Sequence, residues 1–212
     1  MNSEITFNYK KPIANHFSND RNIFICLFPF YHQIFANHYS WETNIDNTFK
    51  LLKTETWNSI SNEIGFNSIK RLVKGILELD NQFQNELDEF CDYKKLDLPD
   101  YTADKIPEVI LIPILKFLKK IEMVNIKTLS NSRFPDAENK SIKIQKNIFD
   151  TYREIEFAKH IKTEELEIIL PDYDSPYCLI VGDLKTCEEI IKYGNFECFK
   201  VEVNTEFDWW NK

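Results

Sequence analysis

The clearest hydrophobic pattern in the chain lies between Leu166 and Val203. A continuous apolar run over Tyr177–Val181, bounded by Pro176 and Gly182, is typical of a strand buried on both faces. Asp183 stands where a helix N-cap belongs, ahead of residues whose apolar positions share one helical face. The stretch therefore predicts a strand–strand–helix–strand unit, with elements over Leu166–Leu170, Tyr177–Val181, Leu184–Tyr193 and Phe196–Val203.

The middle of the chain has helical periodicity. Thr54 is expected to cap a helix that carries Trp57 and ends at Gly65. The following apolar positions keep one face for more than twenty residues and predict a single long helix, with members Ile69, Leu72, Val73, Ile76, Leu79, Phe83, Leu87 and Phe90. Gly75 inside this pattern costs up to about 1 kcal/mol relative to Ala, and close packing against a neighbour is one reason to keep it.

Three further stretches complete the fold prediction. Ile23–Phe30 predicts either a buried strand or a buried aromatic loop. The run between Pro107 and Ile121 contains Pro113, so it predicts a kinked helix or a short strand followed by a helix, and we favour the kinked helix. Helical spacing from Ile148 predicts a helix that continues to His160. Together these elements predict one α+β domain, residues 1–212 with a candidate joint over 130–139, in which helices from the middle of the chain pack on a small mixed sheet.

Composition and charge narrow the function classes. With 212 residues, 43% of them hydrophobic, the chain can bury a core, and its formal net charge of −8 argues against a nucleic-acid binder. No apolar run approaches the ~18 residues of a membrane span, and the N-terminus has no signal-peptide pattern. Five cysteines without a CxxC pair indicate free thiols in a reducing compartment, so we expect a cytoplasmic location. Only four glycines are present, and no cofactor motif is found.

Acidic residues are concentrated between Glu78 and Glu108, where the chain carries ten carboxylates and only three lysines. On the outer side of the predicted long helix and the loop after it, they form either a solvated helix face or a docking surface for a basic protein. The predicted partner-binding residues are Glu86, Asp88, Glu89, Asp92, Asp97 and Asp100.

A second hypothesis concerns the loop after the first C-terminal strand. Asp172 and Asp174 stand two residues apart, as in some sugar-nucleotide transferases, where two such carboxylates share a divalent metal; a solvated loop is the other interpretation. Val181-Gly182-Asp183 resembles a ligand-binding turn at a strand end, although a helix-capping role for Asp183 is favoured. These residues predict, as the alternative, a metal- or nucleotide-dependent enzyme. A catalytic Cys26–His32 pair is disfavoured, because Cys26 lies in a dense apolar run where a thiol is inert.

The C-terminal sequence SPYCLIVGDLKTCEEIIKYGNFECF and the closing DWW resemble uncharacterised small acidic proteins of low-GC Gram-positive bacteria. The general character of the chain, acidic and rich in aromatic residues, is similar to that of immunity proteins of bacterial toxin systems. This resemblance implies a binding protein without catalysis and supplies no catalytic residues. We therefore expect a non-catalytic protein-binding function of the immunity or antitoxin kind.

Overall fold

A computed structural model describes residues 7–33, 49, 52–99, 105–130, 140–171 and 175–209. The described strands, in chain order, are β1 (Asn22–Leu27), β2 (Phe30–His32), β3 (Thr54–Glu55), β4 (Leu96–Asp97), β5 (Asn125–Ser130), β6 (Lys140–Lys143), β7 (Ala158–Lys162), β8 (Leu166–Ile169), β9 (Tyr177–Gly182) and β10 (Cys198–Lys200). The described α-helices are α1 (Trp57–Ile64), α2 (Ile69–Ile76), α3 (Asn81–Lys94), α4 (Glu108–Lys120), α5 (Ile148–Ile155) and α6 (Leu184–Gly194), and a 3-10 helix spans Ile13–His16.

These elements form two compact units. The first comprises residues 1–27 and 101–207, and the second comprises residues 28–100 and 208–212. The candidate joint over 130–139 lies almost wholly outside the described residues, so the single-domain organisation stays a prediction.

The first unit contains a seven-stranded sheet with the order β10-β1-β9-β8-β7-β5-β6. The α+β class and the strand–strand–helix–strand unit are confirmed, the latter as β8, β9, α6 and β10. The sheet differs from the small mixed one expected, because every pairing between its described strands is antiparallel. The reason is that β1 lies between β9 and β10 and runs antiparallel to both, so these two parallel strands never pair directly.

Helices α4, α5 and α6 belong to the same unit, where α4 contacts both of the others and α6 packs on β9 and β1. Helix α4 runs through Pro113, so the helical interpretation of this stretch is confirmed over the short-strand alternative. The helix predicted from Ile148 to His160 is wrong in its second half. Helix α5 ends at Ile155, and the chain then forms β7, in which the adjacent residues His160 and Ile161 are both buried, so no strand alternation marks the change from helix to strand.

The second unit consists of α1, α2, α3 and a three-stranded sheet of order β3-β2-β4. Helix α1 is capped by Thr56 rather than the expected Thr54, since the Thr56 hydroxyl accepts a hydrogen bond from the Ser59 amide at 3.1 Å. As predicted, α1 ends at Gly65, which has a left-handed φ of 82°.

The single long helix predicted over residues 68–90 is wrong, because the chain breaks it into α2 and α3. Glu78 adopts a left-handed φ of 54°, and the Asp80 carboxylate caps α3 by accepting from the Gln82 amide at 3.0 Å. The two helices pack together, and a Cβ on Gly75 would lie 2.9 Å from the Phe83 carbonyl oxygen. The close packing suggested for Gly75 is therefore confirmed.

Candidate functional site

The acidic residues of α3 lie on its solvent-facing side. Leu87 and Cys91 are buried, and at about 3.6 residues per turn Glu89 points away from both. Glu86 and Asp92 stand three residues before and after Glu89, so the three carboxylates form one stripe along the exposed side. Asp88 lies at the flank of this stripe and is also exposed. We call Glu86, Asp88, Glu89 and Asp92 the α3 acidic face.

This arrangement is unfavourable for the helix itself. Asp88 and Asp92 are four residues apart, and like charges at that spacing destabilise a helix by about 0.2–0.5 kcal/mol per pair. Asp92 also stands in the last turn, where the helix dipole favours cations over carboxylates. The cation in that turn, Lys94, is directed to Glu63 of α1, with 2.5 Å between the Lys94 Nζ and Glu63 Oε2 atoms. Glu86 accepts a hydrogen bond from Gln82 Nε2 at 2.8 Å, which supports the helix, but helix stability gives no reason for the other carboxylates of this face.

An exposed aromatic residue accompanies the carboxylates. Tyr93 follows Asp92 directly, stands four residues after Glu89, and has 81% of its surface accessible. Tyrosine presents a rigid ring and a hydroxyl to a partner, which is why it is enriched in the energetically dominant positions of protein interfaces. The α3 acidic face thus has an apolar element beside its charges.

The structure brings Asp97 close to part of this face. Asp97 lies in β4, in register with Tyr31 of β2, and is partly exposed. Burial, with smaller contributions from the negative charges of Asp88, Asp92 and Asp97, raises the pKa of the Cys91 thiol to about 12, so three of the predicted residues lie near this thiol. Asp100, the remaining predicted member, lies outside the described residues.

The residues of the enzyme hypothesis are distributed differently. Asp172 and Asp174 lie outside the described residues, so the metal site that they predict stays a prediction. Pro171 and Ser175, which flank them, lie at the opposite end of β9 from Asp183, and a six-residue strand is about 20 Å long. Antiparallel pairing of β8 with β9 causes this separation.

Asp183 acts as the predicted helix cap. Its carboxylate accepts a hydrogen bond from the Thr186 amide at 3.0 Å, and hydrogen bonds from Thr186 lower its pKa. It lies at an open groove of about 590 Å³ that Arg21 and Lys185 also line. Across the described ranges, no group of three or more His, Cys, Asp and Glu side chains is arranged to hold a metal ion.

A cluster that the sequence analysis did not find lies on β7 and β8. Glu167 is buried, and its two carboxylate oxygens accept hydrogen bonds from His160 Nε2 and Lys162 Nζ, each at 2.8 Å. The hydrogen bond from His160 is the main cause that lowers the pKa of Glu167 to about 2, with Lys162 adding to it against the effect of burial. Because both oxygens are engaged, this cluster is suited to holding β7 against β8.

A second buried carboxylate occurs at the start of α4. Glu108 accepts hydrogen bonds from the Tyr152 hydroxyl at 3.2 Å and from Lys105 Nζ at 3.3 Å. Burial raises the pKa of Glu108, while Lys105 and the two hydrogen bonds act in the opposite direction. The contact joins α4 to α5, which is a structural role.

One sequence signal points to the Glu167 cluster. His160 and Lys162 stand two residues apart and therefore lie on one face of β7. The Thr163 hydroxyl accepts a hydrogen bond from the Leu166 amide at 2.9 Å and closes a tight turn. The two residues inside this turn, Glu164 and Glu165, lack the glycine that usually indicates a short hairpin. The sequence signal for the cluster is therefore the spacing of His160 and Lys162 just before Thr163, and it is a weak one.

Comparison with known proteins assigns the chain to a family but finds no matching protein from which a function could be inferred. In the described part of the chain, none of the helices has both the length and the apolarity of a membrane span. No curated protein and no solved structure matches the chain. Residues 9–211 match the model of the family described as "Protein of unknown function (DUF2711)", and because this match covers nearly the whole sequence, the chain belongs to that family.

Proposed function

We propose that this protein is a non-catalytic binding protein, of the immunity or antitoxin kind, that docks a basic protein on the α3 acidic face. The observation that carries the proposal is the stripe of Glu86, Glu89 and Asp92 beside the exposed ring of Tyr93. Asp97 extends the negative surface next to Asp88 and Asp92, and Asp100 is its predicted continuation along the sequence.

The energetic cost of the stripe supports a binding role. The like-charge pair of Asp88 and Asp92 destabilises α3 by about 0.2–0.5 kcal/mol, and the neighbouring Lys94 is paired with Glu63. A helix face that only needs to be soluble can carry cations among its acids, which removes this cost. A surface that attracts a basic partner needs uniform charge, because complementary potentials increase the association rate and exclude wrong partners.

The carboxylates and the tyrosine have different tasks in the proposed complex. The carboxylates steer a basic partner to the helix, so their contribution decreases as salt screens it over about 8–10 Å. Tyr93 supplies the surface that becomes buried, and its loss shortens the lifetime of the complex. The proposal therefore predicts association that depends on salt and dissociation that depends on Tyr93.

The test compares two triple variants with the same net charge. Glu86→Lys/Glu89→Lys/Asp92→Lys reverses the α3 acidic face, and the matched control Glu164→Lys/Glu188→Lys/Glu202→Lys reverses three exposed carboxylates elsewhere. Both are expected to fold, because all six substituted side chains are exposed. Each tagged protein is used to capture partners from a lysate of the native host at low and at moderate salt, with mass spectrometry as the readout.

The expected result is one basic protein, in stoichiometric amount, captured by the unmodified protein and by the control variant. It is released at moderate salt and is absent from the α3 variant. Equal capture by the two variants contradicts the surface assignment, and so does a stoichiometric partner that is acidic or is retained at moderate salt. Absence of any partner at either salt contradicts the binding function itself.

A further inference from the structure

Three cysteines stand side by side on adjacent strands of the large sheet. Cys26 of β1 is in register with Cys198 of β10 on one side and with Cys178 of β9 on the other. Cross-strand partners in register point to the same face of a sheet, so the three thiols form a row. Register pairing places the thiols of Cys178 and Cys198 on either side of Cys26, and both neighbours add to the effect of burial in raising the pKa of the Cys26 thiol.

The two pairs in this row differ in geometry. The Leu27 amide donates to the Glu197 carbonyl at 3.0 Å, and the Val201 amide donates to the Ile23 carbonyl at 2.8 Å. Hydrogen-bonded and non-hydrogen-bonded pairs alternate along an antiparallel ladder. Cys26 and Cys198 are therefore a non-hydrogen-bonded pair, and Cys26 and Cys178 are a hydrogen-bonded one.

This difference decides which pair can be joined. In a non-hydrogen-bonded pair the Cα atoms are about 4.5 Å apart and the side chains are close, whereas in a hydrogen-bonded pair the Cα atoms are about 5.5 Å apart. A disulfide needs Cβ atoms about 3.5–4.5 Å apart. The Cys26–Cys198 pair meets this requirement with less backbone movement than the Cys26–Cys178 pair.

The three thiols also differ in exposure. Cys26 and Cys178 are fully buried, and burial raises the pKa of the Cys26 thiol well above its usual value. Cys198 is partly exposed and lies on β10, the edge strand of the described sheet. A small oxidant from solvent therefore reaches Cys198 before either of the others.

We propose that Cys198 and Cys26 are an oxidant-reactive pair that forms an intramolecular disulfide when the protein meets a hydroperoxide. The Cys198 thiolate attacks the peroxide O–O bond, which breaks to give a sulfenic acid on Cys198 and release hydroxide, or an alcohol when an organic hydroperoxide reacts. The Cys26 sulfur then attacks the Cys198 sulfur, the S–S bond forms, and the sulfenic oxygen leaves as water with the Cys26 proton. Two thiols are oxidised and one peroxide is reduced in each cycle.

The product links β10 to β1, and it joins positions 26 and 198 of the sequence. It is independent of the α3 acidic face, which belongs to the other compact unit. The reaction is reversible by a thiol reductant, which distinguishes it from further oxidation of Cys198 to a sulfinic acid.

Hydrogen peroxide is the probe in the test. The folded, reduced full-length protein is treated with it, remaining thiols are alkylated after denaturation, and cross-linked peptides are identified by mass spectrometry. The expected product is one peptide pair that contains Cys26 and Cys198 and is released by dithiothreitol, with Cys91, Cys178 and Cys187 still alkylated. Cys178→Ser should keep this cross-link and Cys198→Ser should abolish it, leaving Cys26 alkylated.

Three outcomes overturn the proposal: a Cys26–Cys178 cross-link as the main product, recovery of all five cysteines as alkylated thiols, or sulfinic acid on Cys198 with Cys26 still reduced. The cross-link map of the unmodified protein decides among them, so the result does not depend on either variant folding.

Discussion

Glu167→Gln removes the charge at the centre of the buried cluster on β7 and β8 while keeping the size of the side chain. Glutamine still accepts a hydrogen bond, but it carries no negative charge to pair with the Lys162 ammonium, and the His160 and Lys162 nitrogens each lie 2.8 Å from a Glu167 oxygen. We expect the variant to fold and to be less stable at neutral pH.

The magnitude follows from the pKa of Glu167. That pKa falls from an ordinary 4.5 to about 2 in the folded protein, chiefly through the hydrogen bond from His160. At about 1.4 kcal/mol per pH unit, the ionised carboxylate contributes about 3 kcal/mol to folding. The Lys162 side chain is 45% exposed, so solvent screens its share. We therefore expect Glu167→Gln to lower the free energy of unfolding by about 2 kcal/mol at pH 7.

The sign of the pH dependence is fixed by the direction of the shift. Because the folded pKa is lowered, the contribution is complete above pH 4.5 and is lost as the pH falls toward about 2. The stability difference between the unmodified protein and Glu167→Gln should therefore narrow over this range.

Urea unfolding followed by circular dichroism, at a series of pH values from 7 downward, measures this difference. Glu164→Gln, an exposed position in the adjoining turn, is the matched control and should change stability by less than about 0.5 kcal/mol. A Glu167→Gln effect no larger than that of the control at pH 7 refutes the reasoning, and so does a difference that stays constant as the pH falls.

Three other substitutions test separate parts of the structure. Gly75→Ala should destabilise the protein by about 1–3 kcal/mol in urea unfolding, because its Cβ would lie 2.9 Å from the Phe83 carbonyl oxygen; a stabilised variant contradicts the close packing of α2 and α3. Asp183→Ala should cost about 1 kcal/mol through loss of the hydrogen bond from the Thr186 amide, and an unchanged unfolding midpoint contradicts its role as a cap. Tyr93→Ala should leave stability within about 0.5 kcal/mol but accelerate dissociation of the captured partner in surface plasmon resonance, and an unchanged dissociation rate removes Tyr93 from the proposed interface.

The C-terminal strand–strand–helix–strand stretch could be predicted because neighbouring residues mark where each of its elements begins and ends. Pro176 and Gly182 enclose a short apolar run, and Asp183 marks the start of α6, so each element is evident within a few residues. The position of β1 between β9 and β10 depends on contacts between distant parts of the chain, which periodicity does not describe. The antiparallel arrangement of the sheet therefore became evident only in the structure.

The break between α2 and α3 shows a different limit. Apolar residues continue at helical spacing through Leu79, and this periodicity predicts a helix across the turn. The chain reverses at Glu78, and Leu79 is 56% exposed. The local signal for the break is Asp80, which caps α3. This signal is ambiguous in the sequence, because an aspartate can stand within a helix as well as begin one.

The candidate site was predictable where it depends on helical geometry, but not where it depends on the pairing of strands. The common orientation of Glu86, Glu89 and Asp92 follows from helical geometry alone, and the structure agrees with it. The approach of Asp97 depends on the pairing of β4 with β2, and the Glu167 cluster depends on the register of β7 with β8. Register between strands requires knowledge of turns, and here the turn of Glu164 and Glu165 gives little indication of its type.

The most direct test of the proposed binding function is the affinity of the purified captured partner for the α3 variant Glu86→Lys/Glu89→Lys/Asp92→Lys. Isothermal titration calorimetry at low and moderate salt compares it with the unmodified protein and with Glu164→Lys/Glu188→Lys/Glu202→Lys. Reversing three charges under a basic partner should cost several kcal/mol, so we predict affinity reduced by about 100-fold or more at low salt. The control variant should retain its affinity and its dependence on salt. Equal affinities for the two triple variants would contradict the assignment of the α3 acidic face as the binding surface.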